Sequence, residues 1–251
     1  GEFSDFFKVF WRQFSLSPIL GEVAWHPWTL LTYAFTHSLT DIWHIVFNML
    51  TLYWFGRLFV EYLGSDKLIS LYVLGALSGA VLYLVLFNTV PYFERQPGSS
   101  MVGASGAIYA VLVASATLLP DYTFFLLFLG PVRIKYIALF FIVASFLGTV
   151  SANAGGNIAH LGGALMGYVY VRQLQSGRDW GRWITYILQF RKPKIRVSHR
   201  SKPGESNSAA KGQEVSQAEI DAILDKISEG GYESLSREEK EKLFRAGSGR
   251  R

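Results

Sequence analysis

The chain has 251 residues, half of them apolar and only 17% charged, with a positive mean hydropathy, a mixture that soluble domains seldom show. It contains no cysteine, which excludes a disulfide framework, a thiolate metal site and a cysteine nucleophile. The net charge of +5 does not point to nucleic acid, because the basic residues cluster after the last apolar run and not along an aromatic soluble face.

Residues 1–36 hold Pro18, Glu22, His26 and Pro27 among apolar and aromatic side chains. They cannot form one uninterrupted spanning helix and read as an interfacial loop lying on the membrane. Five spans are expected after them, at 37–63, 67–88, 101–119, 135–150 and 157–174, with Phe124–Leu129 as a short apolar piece between the third and fourth. About 20 residues are needed for a helix to cross the hydrocarbon core. The first of these runs carries His37, Asp41, His44, Asn48, Arg57 and Glu61, and polar groups inside a membrane are functional by default.

Nine Lys and Arg residues lie within 172–202, against the single acid Asp179. Cationic flanks stay on the cytoplasmic side, so the C-terminus is expected there, and the early parts of the first, third and fifth spans near the outer face. Residues 176–214 form a basic juxtamembrane segment and polar linker. In 215–251, Ser216 and Glu219 make a capping box ahead of Ile220, Ile223, Leu224 and Ile227 on one face, and Gly230-Gly231 ends that helix. Ser236–Ala246 repeats the pattern, which predicts a small cytoplasmic helical hairpin. The fold class is therefore all-α: a polytopic transmembrane bundle over 37–175 plus this hairpin.

The polar residues of the first, third and fifth spans fall near one depth. His37, His44 and Asn48 are spaced seven and four apart, so they share one helix face. Ser105 is flanked by Gly103 and Gly106 at a helix start, where backbone N–H groups are free. His160 opens the fifth span, in which Gly163 and Gly167 form a small face for close approach, matched by Gly106 and Ala110 on the third. That approach places the Ser105 hydroxyl against the His160 imidazole, the minimal arrangement for an activated nucleophile. No third carboxylate stands at that depth, which makes the pair a dyad. Donors for an oxyanion are available from His44, Asn48 and the Ser105 N–H. Tyr109, four residues after Ser105, is placed to stack on His160.

Each element alone has a plainer reading. A glycine-flanked serine in a membrane helix is commonly a packing motif, a lone histidine commonly bonds a carbonyl, and histidines with an asparagine can ligate a metal. His26 and His199 have no place in the pattern. The joint occurrence favours catalysis over a metal site, and the lack of a paired inverted repeat disfavours a transporter.

Together, Gly103-Ala104-Ser105-Gly106 with Tyr109, Ala159-His160 with Gly163 and Gly167, and His44-Ile45-Val46-Phe47-Asn48 resemble the rhomboid intramembrane serine proteases over about residues 25–175. The resemblance implies Ser105 as nucleophile, His160 as base, His44 and Asn48 lining the oxyanion hole, and His37 as the family's upstream histidine. Two departures stand out. The Trp-Arg pair of the family's first outer loop corresponds to Trp28-Thr29, so its arginine is missing, and Trp11-Arg12 reads as a decoy. The family's core also has six spans where five are counted, the absent one preceding residue 1. The resemblance thus implies an intramembrane serine endopeptidase in a bilayer, of bacterial type and in an inner membrane. Its substrates are transmembrane proteins, and no cofactor, metal or nucleic acid is implied. A catalytically silent relative that binds and escorts membrane proteins is the alternative.

Overall fold

The computed structural model describes residues 11–37, 41–94, 100–151, 153–189 and 216–248. Residues 38–40 of the first expected span, most of the linker to 214, and His199 lie outside them. The chain divides into two compact units, Gly1–Lys194 and Ile195–Arg251.

In the first unit, short helices α1 (Leu20–Trp25) and α2 (Thr29–Thr32) lead through a 3-10 turn, Tyr33–Phe35, to α3 (Ile42–Leu63). Asp41 caps α3, its carboxylate accepting the His44 N–H at 3.2 Å. Gly64, at φ +82°, ends α3 and turns the chain directly into α4 (Ser65–Thr89). After a short α5 (Pro91–Glu94) come α6 (Ser105–Leu118), α7 (Ile134–Gly148), α8 (Ala154–Gln175) and α9 (Arg182–Gln189).

Ten residues of α6 are buried, the mark of a helix apolar all round at the centre of a bundle. It packs most extensively on α8, and also on α4 and α3. The α6–α8 seam is backbone against backbone. Side chains at Gly163 and Gly167 would fall on the carbonyls of Gly106 and Ala110, so the small face expected from sequence meets its partner residue for residue. Ser78 of α4 donates to the Gly162 carbonyl at 2.8 Å.

At the far end of α8, Asp179 pairs with Lys67 of α4 and accepts the Gly181 N–H at 3.0 Å. This holds the start of α9 in place, with Ile184 and Thr185 buried and Trp183, Tyr186 and Ile187 exposed.

By length and composition alone, α4 is the one helix among the described residues that is long and apolar enough to cross a membrane; α6 and α7 are shorter apolar helices. The all-α reading holds with one local correction. The short apolar piece at Phe124–Leu129 is part of an antiparallel hairpin, β1 (Thr123–Leu126) with β2 (Gly130–Arg133), in register Thr123↔Arg133 and Leu126↔Gly130. Pro131 has no N–H to donate and disfavours a helical residue before it, and Gly130 takes the turn at φ +68°.

Residues 11–36, expected as an interfacial outer loop, carry the two short helices α1 and α2 and are tied to the bundle. Leu16 and Met101 exchange backbone hydrogen bonds of 2.9 and 2.8 Å, and the buried Tyr33 hydroxyl donates to the Ala76 carbonyl at 2.7 Å. That pairing takes Met101 out of the expected third helix, which begins four residues later at Ser105.

The second unit is the expected helical hairpin, α10 (Gln217–Gly230) and α11 (Arg237–Ser248). Ser216 and Glu219 form the reciprocal capping box. The Lys242 ammonium first, then the bonds from Ser216, hold the Glu219 carboxyl down at about 2, and Lys226 with Ser236 does the same for Glu239. Ile223 and Leu235 are its buried apolar residues.

Candidate active site

Met101 is tied to Leu16 and the Gly103 N–H to the Tyr33 carbonyl, at 3.0 Å, so the strand entering α6 is fixed from outside. Gly103 then turns at φ +131°, a region closed to other residues in practice. Its α-carbon also faces His44, whose ring atoms lie 3.1 and 3.2 Å from where a side chain would begin. This bend delivers Ser105 as the first residue of α6, where N–H groups have no partner within the helix.

The Ser105 Oγ lies 2.7 Å from His160 Nε2. Two contacts hold the imidazole. The Tyr109 ring stacks on it, centroids 4.1 Å apart and 12° from parallel. On its other nitrogen, His160 Nδ1 lies 3.0 Å from the Ser145 Oγ. Ser145, in α7 and 2% exposed, donates in turn to the Tyr109 hydroxyl at 2.9 Å, and that hydroxyl reaches the Phe141 carbonyl at 3.5 Å.

The Ser145 hydroxyl can donate to Tyr109 while accepting from His160 Nδ1, in the tautomer that leaves the Nε2 lone pair facing the serine. Sequence reasoning found Tyr109 but missed Ser145. Ser145 lies on a different helix from either catalytic candidate, so no residue spacing marks it.

Ser105 and His160 open into a cavity of about 680 Å³, also lined by Asp41, His44, Asn48, Tyr109 and Phe141. Asn48 is buried at the wall of this cavity, and its Nδ2 has no partner among the described residues. His37 stands beside His44, ring centroids 5.5 Å apart, and its Nε2 is likewise buried with no partner among the described residues. Thus Ser105, His160, His44, Asn48 and Tyr109 meet around one cavity. Gly103 turns the chain into Ser105, Gly106, Gly163 and Gly167 lie in the seam beside the cavity, and His37 stands next to His44. Among the described residues no three His, Asp or Glu side chains are grouped to hold a metal.

Trp28, half-exposed, donates its indole N–H to the Gln13 carbonyl at 2.7 Å, and Thr29 is buried, donating to the His26 carbonyl at 2.7 Å. Arg12 is not remote from them. It shares a cavity of about 230 Å³ with Thr29 and Glu22 and pairs with Glu22 at 3.7 Å. An arginine thus reaches the neighbourhood of position 29 from elsewhere in the chain.

A family model described as the Rhomboid domain matches residues 24–176, a stretch holding every residue of the Ser105 cavity, and a family of unknown function, DUF6576, matches residues 210–245. The RHOMBOID-like protein 12, mitochondrial, of Arabidopsis thaliana is 36% identical over 160 residues, covering 60% of this chain and 47% of that protein. Rhomboid protein 1, mitochondrial, of Saccharomyces cerevisiae is 35% identical over 149 residues, 55% and 39%. The human presenilin-associated rhomboid-like protein, mitochondrial, is 31% identical over 172 residues, 64% and 40%. The chain spans about half the length, or less, of these curated relatives. The names of these three relatives are mitochondrial, and they do not support the bacterial inner membrane expected from the sequence. With the family model matching more than half of its residues, the chain belongs to the rhomboid family.

Proposed function

We propose that the protein is an intramembrane serine endopeptidase that hydrolyses peptide bonds in or next to transmembrane helices of membrane-protein substrates. The observation that carries this reading is the 2.7 Å approach of Ser105 Oγ to the Nε2 of a His160 ring held by Ser145 and Tyr109. As a neutral imidazole, His160 takes the hydroxyl proton while Oγ attacks the scissile carbonyl. The tetrahedral oxyanion is met by donors fixed before the reaction: the free N–H groups at the start of α6, His44, and the otherwise unpartnered Asn48 amide. The imidazolium then protonates the leaving amine. Water entering the cavity gives up a proton to the same nitrogen, hydrolyses the acyl-enzyme and restores Ser105.

Charge in the flanks supports a multi-pass placement with the C-terminus cytoplasmic and the site toward the outer face. The reading is tested by cleavage of a model transmembrane substrate in proteoliposomes. Ser105→Ala is expected to abolish turnover. Asn48→Ala, which removes one donor among several, is expected to lower kcat about 10²-fold. Full turnover by Ser105→Ala would contradict the assignment, and an unchanged rate for Asn48→Ala would remove that residue from the oxyanion site.

A further inference from the structure

The hairpin β1–β2 carries a group of side chains that the proposed catalysis does not use. Around its turn, Phe125, Leu127, Phe128 and Leu129 are 83%, 88%, 91% and 74% exposed. Four large apolar residues standing free together are not what a water-facing turn selects. At the base of the hairpin the chemistry reverses. Asp121 pairs with Lys135 at 2.7 Å and with Arg133 at 3.3 Å, and these cations, Lys135 first, hold its carboxyl below the usual carboxylate range. An apolar tip above a charged base is the profile of a segment at a bilayer interface.

Its depth in the bundle supports the same placement. Ser115, near the end of α6, donates to the Phe55 carbonyl of α3 at 3.3 Å. The ring of Phe124 packs on the ring of Phe55, centroids 5.1 Å apart. The chain leaving α6 has therefore doubled back by Phe124 to the level of Ser115. From that level α3 runs eight residues further, about 12 Å, to its end at Leu63. The hairpin lies beside the bundle, inside the depth that α3 covers. The neighbouring α6 and α7 have 14 and 15 residues, about 21–23 Å of helix against the roughly 30 Å of a hydrocarbon core. Helices shorter than the core leave a connection at their end within reach of the bilayer boundary.

We infer that the hairpin is a shallow membrane anchor whose tip, Phe125 and Leu127–Leu129, inserts among lipid acyl chains just below the headgroups, with Arg133 and Lys135 at headgroup level. The insertion is interfacial and not spanning, because a two-stranded hairpin has open edges that need water. It fixes the α6–α7 connection to the bilayer at the end of these helices opposite the Ser105 site. This rests on the reading of the chain as a multi-pass membrane protein.

The cysteine-free chain permits a direct test with single labels. Phe128→Cys, Val81→Cys on the exposed face of α4 and Ala222→Cys in the C-terminal unit each carry an environment-sensitive fluorophore, in vesicles of phosphatidylcholine and phosphatidylglycerol. The expected result is a blue-shifted emission at 128, quenched by doxyl groups high on the acyl chain by about half or more of the quenching at 81. Doxyl groups deep in the chain should quench 128 less than shallow ones, and 222 should respond to neither. Label 128 behaving like 222 while 81 is quenched overturns the anchor and leaves the membrane reading standing. Label 128 shielded from both lipid quenchers and aqueous iodide also overturns it, in favour of a protein covering the tip. If 81 too behaves like 222, the membrane reading falls and the anchor with it.

Discussion

Gly163→Val is expected to leave no folded, active protein, and Gly163→Ala to fold less stably and turn over about 10²-fold more slowly. A Cβ at Gly163 falls on the Gly106 carbonyl, which is backbone and cannot rotate away. The only relief is to part α6 from α8. Overpacking of this kind costs about 1–3 kcal/mol, or more where neighbours are rigid. The parted helices are also those that carry Ser105 and His160, and a displacement of about 1 Å can cost 10² in rate. Thermal unfolding in detergent and cleavage kinetics measure the two effects. Gly21→Ala, where a side chain meets nothing within 4 Å, is the neutral comparison. Wild-type kinetics in Gly163→Ala would mean that the seam does not set the distance between the two residues.

Ser145→Ala is expected to lower kcat by about 10²–10³ while leaving KM nearly unchanged. The hydroxyl lies 3.0 Å from His160 Nδ1 and 2.9 Å from the Tyr109 hydroxyl, so its loss frees the ring to turn and to adopt the tautomer that cannot take a proton from Ser105. The larger loss of about 10⁴ seen when a buried aspartate is replaced behind a catalytic histidine is an upper guide, since a neutral hydroxyl stabilises the imidazolium less. Removing one partner of a buried hydrogen bond costs about 1–3 kcal/mol of stability as well. The kinetic split separates the two consequences. A merely structural role lowers the active fraction in proportion to unfolded protein and is reversed by cooling, whereas a positioning role lowers kcat in fully folded enzyme. Unchanged kcat in folded Ser145→Ala would show that Tyr109 stacking suffices to orient the ring.

The contrast between Tyr109 and Ser145 shows what the sequence makes legible. Tyr109 lies one helical turn after Ser105, so helix periodicity alone places it on the same face. Ser145 sits in an apolar helix with no distinguishing neighbour, and its role exists only because α7 packs across α8. Gly163 and Gly167 were readable as a small face, and the seam they form follows from residue spacing. The Leu16–Met101 pairing was not readable, because it joins segments 85 positions apart through backbone groups that carry no side-chain signal. Its consequence is local and chemical: α6 starts at Ser105 and not at 101, which frees the N–H groups there. The hairpin escaped detection for a different reason. A run as short as Phe124–Leu129 has no period long enough to choose between helix and strand, and the choice is made by Gly130 and by Phe124 packing on Phe55.

The proposed chemistry turns on whether Ser105 is nucleophilic in the folded protein. The direct measurement is covalent labelling of detergent-purified protein with a fluorophosphonate, followed by mass-spectrometric mapping of the modified residue. A single adduct on Ser105, lost in Ser105→Ala and reduced at least about 10³-fold in rate in His160→Ala, is the expected result. Labelling that persists in Ser105→Ala, or an unreactive Ser105 in protein whose fold is intact, would contradict the Ser105–His160 dyad.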